Sequence, residues 1–591
     1  MEAKKINFRF NTLVVILIVI ICISISPVML QNDTFYTIKI GEHIINNGIT
    51  QPDPFTWHDI TYTYPHWTYD VMIYLIYNIG GMMGIYISTI IFSAILGFAI
   101  YFTHNKITNN KIISFILTVA TLLLLKNYIA ARAQLITYIL FTFTMLCIEM
   151  FIRTKKKRYG IGLVGISLII ANIHIAVWPF FFILFLPAIG EYLIVLMLET
   201  RFKTYIMILE KKLIKIKFLE KIAIFINKDK NYKNKLEESI PIEEEKNNKY
   251  KQKINETLSN PYKIHAKRET AIKWLILIMI ICALMGLITP LKDAPYTYLI
   301  RTMQGNTTKN IAEHSPIVLI QSGPAMLMII ISLGLITFTN VKVKLRDLFL
   351  IGGLTILTLY ANRQVSLLVL LGMFVVSRLA SELVSIYDPD GTEKMLKLIV
   401  KKAGQVATII IILLLCYTYG KDRYKEIVRD NKSHIVEEGK IAIKDSLFLN
   451  EKIYPVEASK FIKENLDVEN IRLFNEYNYG SYLIYENIKV FIDSRADLYT
   501  KEFNGKIEVF SDFLGVSNLD KDYDKIFDKY DITHCIFQKA KIINKALAKD
   551  DNYKEIYADP YFIIYEKLDA GKITVEDGSN NESEIDNNEI Y

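Results

Sequence analysis

The chain has 591 residues, of which 52% are apolar and 22% charged, with a formal net charge of +8. Several soluble domains would fit that length, but a mean hydropathy of +0.25 and recurrent apolar runs of about 20 residues, enough to cross ~30 Å of hydrocarbon, exclude a wholly soluble chain. The positive balance does not argue for nucleic acid, because the lysines cluster in loops that orient membrane proteins. Five cysteines without pair spacing give neither a disulfide framework nor a zinc pattern.

The basic start MEAKKINFR precedes an apolar stretch, Asn11–Leu30. That stretch is long for a signal peptide, and Ser24–Gln31 offers no small-residue cleavage site. A retained first span with a cytoplasmic N-terminus is expected. Gln31–Asp70 is then an external loop, crowded with Asp33, Glu42, His43, Asp53, His58, Asp59, His66 and Asp70. Trp57, Trp67 and several tyrosines are interleaved, as at a membrane–water boundary. Gly80 and Gly81 interrupt the next apolar run. Trp67–Ile79 is therefore expected to lie along the interface, with the second span starting near Gly84.

Further spans are expected over Ile112–Leu125, Leu135–Ile152, twice within Ile161–Leu198, and over Ala271–Ile288, Ile317–Phe338, Leu348–Tyr360, Val365–Ser385 and Ala407–Tyr419, which makes eleven. RTKKKR, VKVKLRD and DPDGTEKMLKLIVKK then fall on the cytoplasmic side, as the positive-inside rule requires. The Lys- and Glu-rich residues 199–270 read as a cytoplasmic insertion, with LIKIKFLEKIAIFI as a candidate surface helix.

Residues 421–570 read as an exported α/β domain behind a membrane domain of residues 1–420. PVEASKFIKENL and DYDKIFDKY are expected as helices. IRLFN, KVFID and THCIF are expected as strands, and YKEIYAD with YFIIYEK as a hairpin around Asp559–Pro560. Residues 571–591 are acidic and polar and predict a disordered tail. The fold class is a polytopic α-helical membrane protein with an exported C-terminal α/β domain.

This topology puts Asp33, Arg132, His174, Glu313, His314 and Arg363 at external ends of spans. Ionisable groups at such depth usually face a cavity or a partner, so one shared, outward-open cavity is expected. The set suits a sugar arriving on a lipid phosphate. A leaving phosphate needs fixed cations, a guanidinium grips phosphate oxygens in pairs, and an acceptor hydroxyl needs a carboxylate base. Asp33 is the candidate base, held at a defined depth by the first span. Arg132 and Arg363 are candidate phosphate ligands, and Asp70, His174 and Glu313 candidate substrate-binding residues. His43, His58 and His66 share no metal-ligand spacing, so neither metal nor cofactor is expected.

Each residue also has a plainer reading. Asp33 and Asp70 suit helix N-caps, and Asp53 before Pro54 suits a turn. Arg132 and Arg363 could snorkel to lipid headgroups, and His174 could be a buried hydrogen-bonding residue. Asp493, Arg495 and Asp497 read best as an internal salt-bridge network, with Asn475, Tyr477 and Gly480 shaping a turn beside it.

NDTFYTIKIGEHIINNGI, DPFTWH and HWTYDVMIYLIYNIGG together resemble the first external loop of membrane glycosyltransferases of the GT-C fold, relatives of the protein mannosyltransferases and lipid A aminoarabinose transferases. ARAQLITYIL, ANIHIAVW, ANRQVSLLVL, NEYNYGSYLIY and VFIDSRADLY are similar to later segments of that group. The resemblance implies a first-loop aspartate as base, here Asp33. Many such enzymes carry a second acid in the next external loop. KNYIAARAQ has none, so no metal-bridged pair of acids is expected. The expected activity is inverting transfer of a sugar from a polyprenyl-phosphate carrier to an external glycan, lipid or protein, in the cell membrane. The alternatives are a non-catalytic scaffold or a lipid-linked glycan transporter.

Overall fold

The computed structural model of the chain describes residues 2–199, 204, 207, 209, 232–259, 264–305, 307–311, 313–430 and 448–568. The candidate surface helix LIKIKFLEKIAIFI and the acidic end 571–591 lie outside the described residues.

The apolar part is a bundle. In order it contains α1 (Glu2–Ile25), α2 (Asn32–Asn47), α3 (Trp67–Thr108), α4 (Lys111–Leu125), α5 (Ala133–Thr154), α6 (Lys157–Ile173), α7 (Trp178–Ile183), α8 (Leu186–Glu199), α9 (Ala271–Met285), α10 (Ala294–Gln304), α11 (Gly323–Phe338), α12 (Leu345–Tyr360), α13 (Val365–Tyr387) and α14 (Lys402–Asp430). The spans of α5 and α13 are 72% and 67% buried, so these two form the centre, and less buried helices surround them. Phe141, Tyr138, Leu370 and Phe374 belong to their shared core.

Every stretch expected to cross a membrane contains helix. Among the described residues, six helices are long and apolar enough to cross: Ile6–Ile25, Trp67–Thr108, Lys111–Tyr128, Ala133–Thr154, Ile175–Glu199 and Asn362–Tyr387. A pair bent by 88°, Gly391–Val400 with Lys402–Thr418, would make a seventh. The eleven expected crossings therefore exceed the helices that meet the test. The reason is length: a 16-residue helix such as α11 rises only about 24 Å, short of ~30 Å of hydrocarbon. The chain is a membrane protein by these helices.

Gly81 breaks α3 where the sequence predicts an interruption. Its φ of 58° and ψ of −153° suit glycine and turn the first part of the helix away from the rest.

The residues from 448 to 568 add a four-stranded sheet with helices around it. β1 (Leu473–Phe474) pairs parallel with β2 (His534–Gln538), which pairs antiparallel with β4 (Phe562–Lys567), and β3 (Tyr553–Ala558) closes the edge against β4. The expected helices form over Val456–Asn465 and Tyr523–Lys529. KVFID does not join the sheet. Its backbone turns to the first loop instead: the Val490 amide donates to Phe55 O at 3.2 Å, and Thr56 Oγ1 donates to Val490 O at 2.8 Å.

The first loop and this C-terminal part share one core. Phe35 of α2 meets the rings of Tyr454 and Tyr482 at 4.9 and 5.2 Å. His58 Nε2 donates to the Phe491 carbonyl at 3.0 Å. At the centre of the junction Arg495 is clasped by two carboxylates. Its Nη1 and Nη2 reach Asp53 at 2.6 and 3.1 Å, while Nε and Nη2 reach Asp493 at 2.9 and 2.7 Å. The side chains of Arg495 and Asp53 are 2% and 0% exposed, so this is a buried pair and not a surface one. Of the network expected among Asp493, Arg495 and Asp497, the Asp493–Arg495 pair is present; Asp497 takes other partners, and the second acid on Arg495 is Asp53 of the first loop. Asp53 is thus more than a turn residue.

Removing one partner of such a pair strands a buried charge. Asp53→Ala is expected to destabilise the folded chain by about 3 kcal/mol and to open the first loop to protease. An unchanged melting temperature and digestion pattern would contradict the clasp.

Candidate functional site

α2 is amphipathic. Its buried face carries Phe35, Ile38, Ile40 and Gly41. Gly41 lets it cross α3 closely, since a Cβ there would sit 2.1 Å from the Asp70 carbonyl oxygen. The adjacent face, with Asp33, Tyr36 and Thr37, forms part of the wall of a cavity of about 1400 Å³. The rest of that wall comes from the ends of α5, α6 and α12, from the start of α13, from the 298–316 segment, and from Glu476, Tyr477, Arg495 and Asp497 of the C-terminal part.

Asp33, Arg132, His174, Glu313 and Arg363 all line this cavity. Asp33 caps nothing: the N-cap of α2 is Gln31, and the Asp33 carboxylate pairs with Arg132 Nη2 at 2.9 Å. Arg132 Nη1 lies 3.9 Å from Glu313, and Arg132 Nε is buried without a partner among the described residues. Arg363 Nη1 meets His314 Nε2 at 2.9 Å. The backbone fixes that pair, since the Arg363 amide donates to Glu313 O at 2.9 Å and the Asn362 amide to Ser315 O at 3.0 Å. Neither arginine points away as a lone headgroup anchor.

Asp70 does not reach the wall. It is fully buried behind His66, whose Nδ1 lies 3.2 Å from its carboxylate. His66 lines the cavity, stacked on Tyr36 at 6.0 Å and edge-on to His174 at 5.9 Å. His174 Nδ1 is bonded to Thr137 Oγ1 at 2.9 Å. His43 and His58 lie elsewhere: His43 binds Thr50, and His58 binds Phe491. Among the described residues no three His, Cys, Asp or Glu side chains gather as metal ligands.

Sequence reasoning missed two features. Asp497 is a cavity residue, taking bonds from the Tyr298, Thr302 and Thr307 hydroxyls at 3.2, 3.1 and 3.0 Å. Burial raises its carboxyl above the ordinary range, against the pull of those three donors. Nothing in its sequence neighbourhood names hydroxyl partners some 200 positions away. The second is an ion cluster at the far end of α5, about 26 Å along the helix from Arg132. Glu149 takes Arg153 at 2.6 Å, Arg378 at 3.0 Å and Arg346 at 3.3 Å, and Arg378 also holds Asp347 at 2.8 Å. Charged residues inside apolar runs are its signal.

His314 is held near neutral. Burial and the neighbouring Arg363 bring its imidazole down to about 4. The unfolded ring titrates near its ordinary 6.5, so the unfolded chain binds the extra proton first. Stability from this site is therefore lost as pH falls from 6.5 toward 4. The unfolding free energy of the wild type is expected to fall more steeply over that window than that of His314→Gln, by ~1 kcal/mol per pH unit, read as a steeper drop in melting temperature. Parallel curves would contradict the assignment.

No family model matches the sequence, and no curated protein matches it. Two crystal structures of the Archaeoglobus fulgidus oligosaccharyltransferase are similar to this chain. One is tethered through a disulfide to an acceptor peptide containing the NVT sequon, and matches at 11% identity with a TM-score of 0.44. The other is the apo form, at 12% identity with a TM-score of 0.47. Each match covers 90% of this chain and 69% of the other.

Proposed function

We propose that the chain is a membrane glycosyltransferase of the GT-C type that takes a sugar from a polyprenyl-phosphate carrier and delivers it to an acceptor outside the cell membrane. The single observation behind this reading is the shared cavity, where carboxylates and guanidiniums share one wall beside an apolar flank. The cationic part holds Arg132 and Arg363, and the flank holds Ile183, Leu299, Met303 and Leu357. A phosphate on a lipid tail needs both. The cations neutralise its charge, and the apolar flank accepts the chain.

In the proposed reaction the acceptor oxygen attacks the anomeric carbon. The bond from that carbon to the phosphate oxygen breaks, and its electron pair stays on the phosphate, which Arg132 and Arg363 stabilise. The acceptor proton passes to Asp33. Attack from the face opposite the leaving group inverts the anomeric centre. Arg132 connects the two halves of the step. It holds Asp33 through Nη2 and keeps Nε without a partner among the described residues, so a phosphate can dock without releasing the base. His174, Glu313 and His66, which Asp70 holds from behind, shape the sugar and acceptor space. The basic segments flanking the helices favour a cytoplasmic N-terminus and an external cavity.

Asp33→Asn keeps the size of the side chain and removes the base. It is expected to lower transfer from a polyprenyl-phosphate sugar by at least ~100-fold while expression and melting temperature hold. Wild-type activity in this variant would remove Asp33 from the role. A wild type that moves the lipid-linked sugar across vesicles without transferring it would make the chain a transporter.

A further inference from the structure

His314 sits in the cavity wall with its two ring nitrogens in opposite situations. Nε2 lies 2.9 Å from Arg363 Nη1. A guanidinium has donors only, so Nε2 accepts, and the neutral ring must carry its hydrogen on Nδ1. Nδ1 is buried and has no hydrogen-bond partner among the described residues. A buried N–H donor without an acceptor is costly, and native folds seldom keep one without a purpose. Moving the hydrogen to Nε2 would set an N–H against the Arg363 guanidinium, and turning the ring over would set a C–H there, so neither alternative keeps the Arg363 bond. The arrangement thus fixes one donor on a wall residue, in the field of Arg363; Arg132, another residue of the same lining, also has a buried Nε without a partner among the described residues. A neutral N–H beside one guanidinium and an N–H belonging to another call for an oxygen that carries negative charge.

We propose that His314 Nδ1–H is a third donor, alongside Arg132 and Arg363, to a phosphate oxygen of a lipid-borne phosphate or pyrophosphate in this cavity. The inference rests on the function proposed above and adds a ligand to it. His314 here serves as a neutral hydrogen-bond donor and carries no proton in the reaction. Its link to Arg363 sets the direction in which that donor points.

The test uses full-length protein in detergent, with farnesyl diphosphate and inorganic pyrophosphate as probes in calorimetry. Two variants separate the ring's two edges. His314→Asn keeps an N–H near the Nδ1 position and loses the acceptor for Arg363. His314→Gln keeps an acceptor near the Nε2 position and loses the donor. Farnesyl diphosphate affinity is expected to fall about tenfold in His314→Gln and by less than about threefold in His314→Asn. Binding of His314→Gln at wild-type strength, or a larger loss in His314→Asn, would overturn the donor role and leave the proposed function standing. A wild type that binds neither probe would overturn the proposed function itself. Equal wild-type affinity for the two probes would overturn the lipid source and assign the site to free phosphate.

Discussion

Arg495 between Asp53 and Asp493 is the joint on which the rest of the structure hangs. Four of its donor contacts end on these two carboxylates at 2.6–3.1 Å. Its guanidinium also lies over the Tyr62 ring at 4.7 Å and the Phe55 ring at 5.5 Å. A charge so deeply buried is tolerable only when every donor is answered. The answering groups come from two segments more than 400 positions apart, so the first loop and the C-terminal part are tied together at this point. The cavity follows from that union, because α2 supplies one wall and the Ser494–Leu498 turn supplies another.

Charge is concentrated at two ends of the bundle, and the two ends differ in kind. The Glu149 cluster is closed: Glu149, Asp347, Arg346 and Arg378 are nearly buried and pair with one another. It fixes α5, α12 and α13 relative to each other from one end. The cavity end is open. There the Asp33–Arg132 pair is partly accessible, with 25% and 31% of the two side chains exposed. A closed cluster serves packing, whereas an open one keeps capacity for a ligand.

Much of this was legible in the sequence for a simple reason. Hydropathy and the break at Gly81 are local signals, and so are the helices at Val456–Asn465 and Tyr523–Lys529. The gathering of Asp33, Arg132, His174, Glu313 and Arg363 could be anticipated because a bilayer restricts where charge can lie. What escaped depended on long-range partners. KVFID has the composition of a strand, but the Val490 amide is taken by the Phe55 carbonyl and the Val490 carbonyl by the Thr56 hydroxyl. Asp70 was placed correctly at the start of a helix yet sits behind His66, since the Gly41 crossing brings α2 over it. Asp497 carries no local mark of the three hydroxyls that hold it.

The account stands or falls on what occupies the cavity. The most direct measurement is a cryo-electron microscopy map of the full-length protein in nanodiscs with a non-transferable polyprenyl phosphonate sugar. The phosphonate is expected between Arg132 and Arg363, with the lipid chain leaving past Leu299, Met303 and Leu357. Density for the phosphonate away from both arginines, or an empty cavity at saturating ligand, would contradict it.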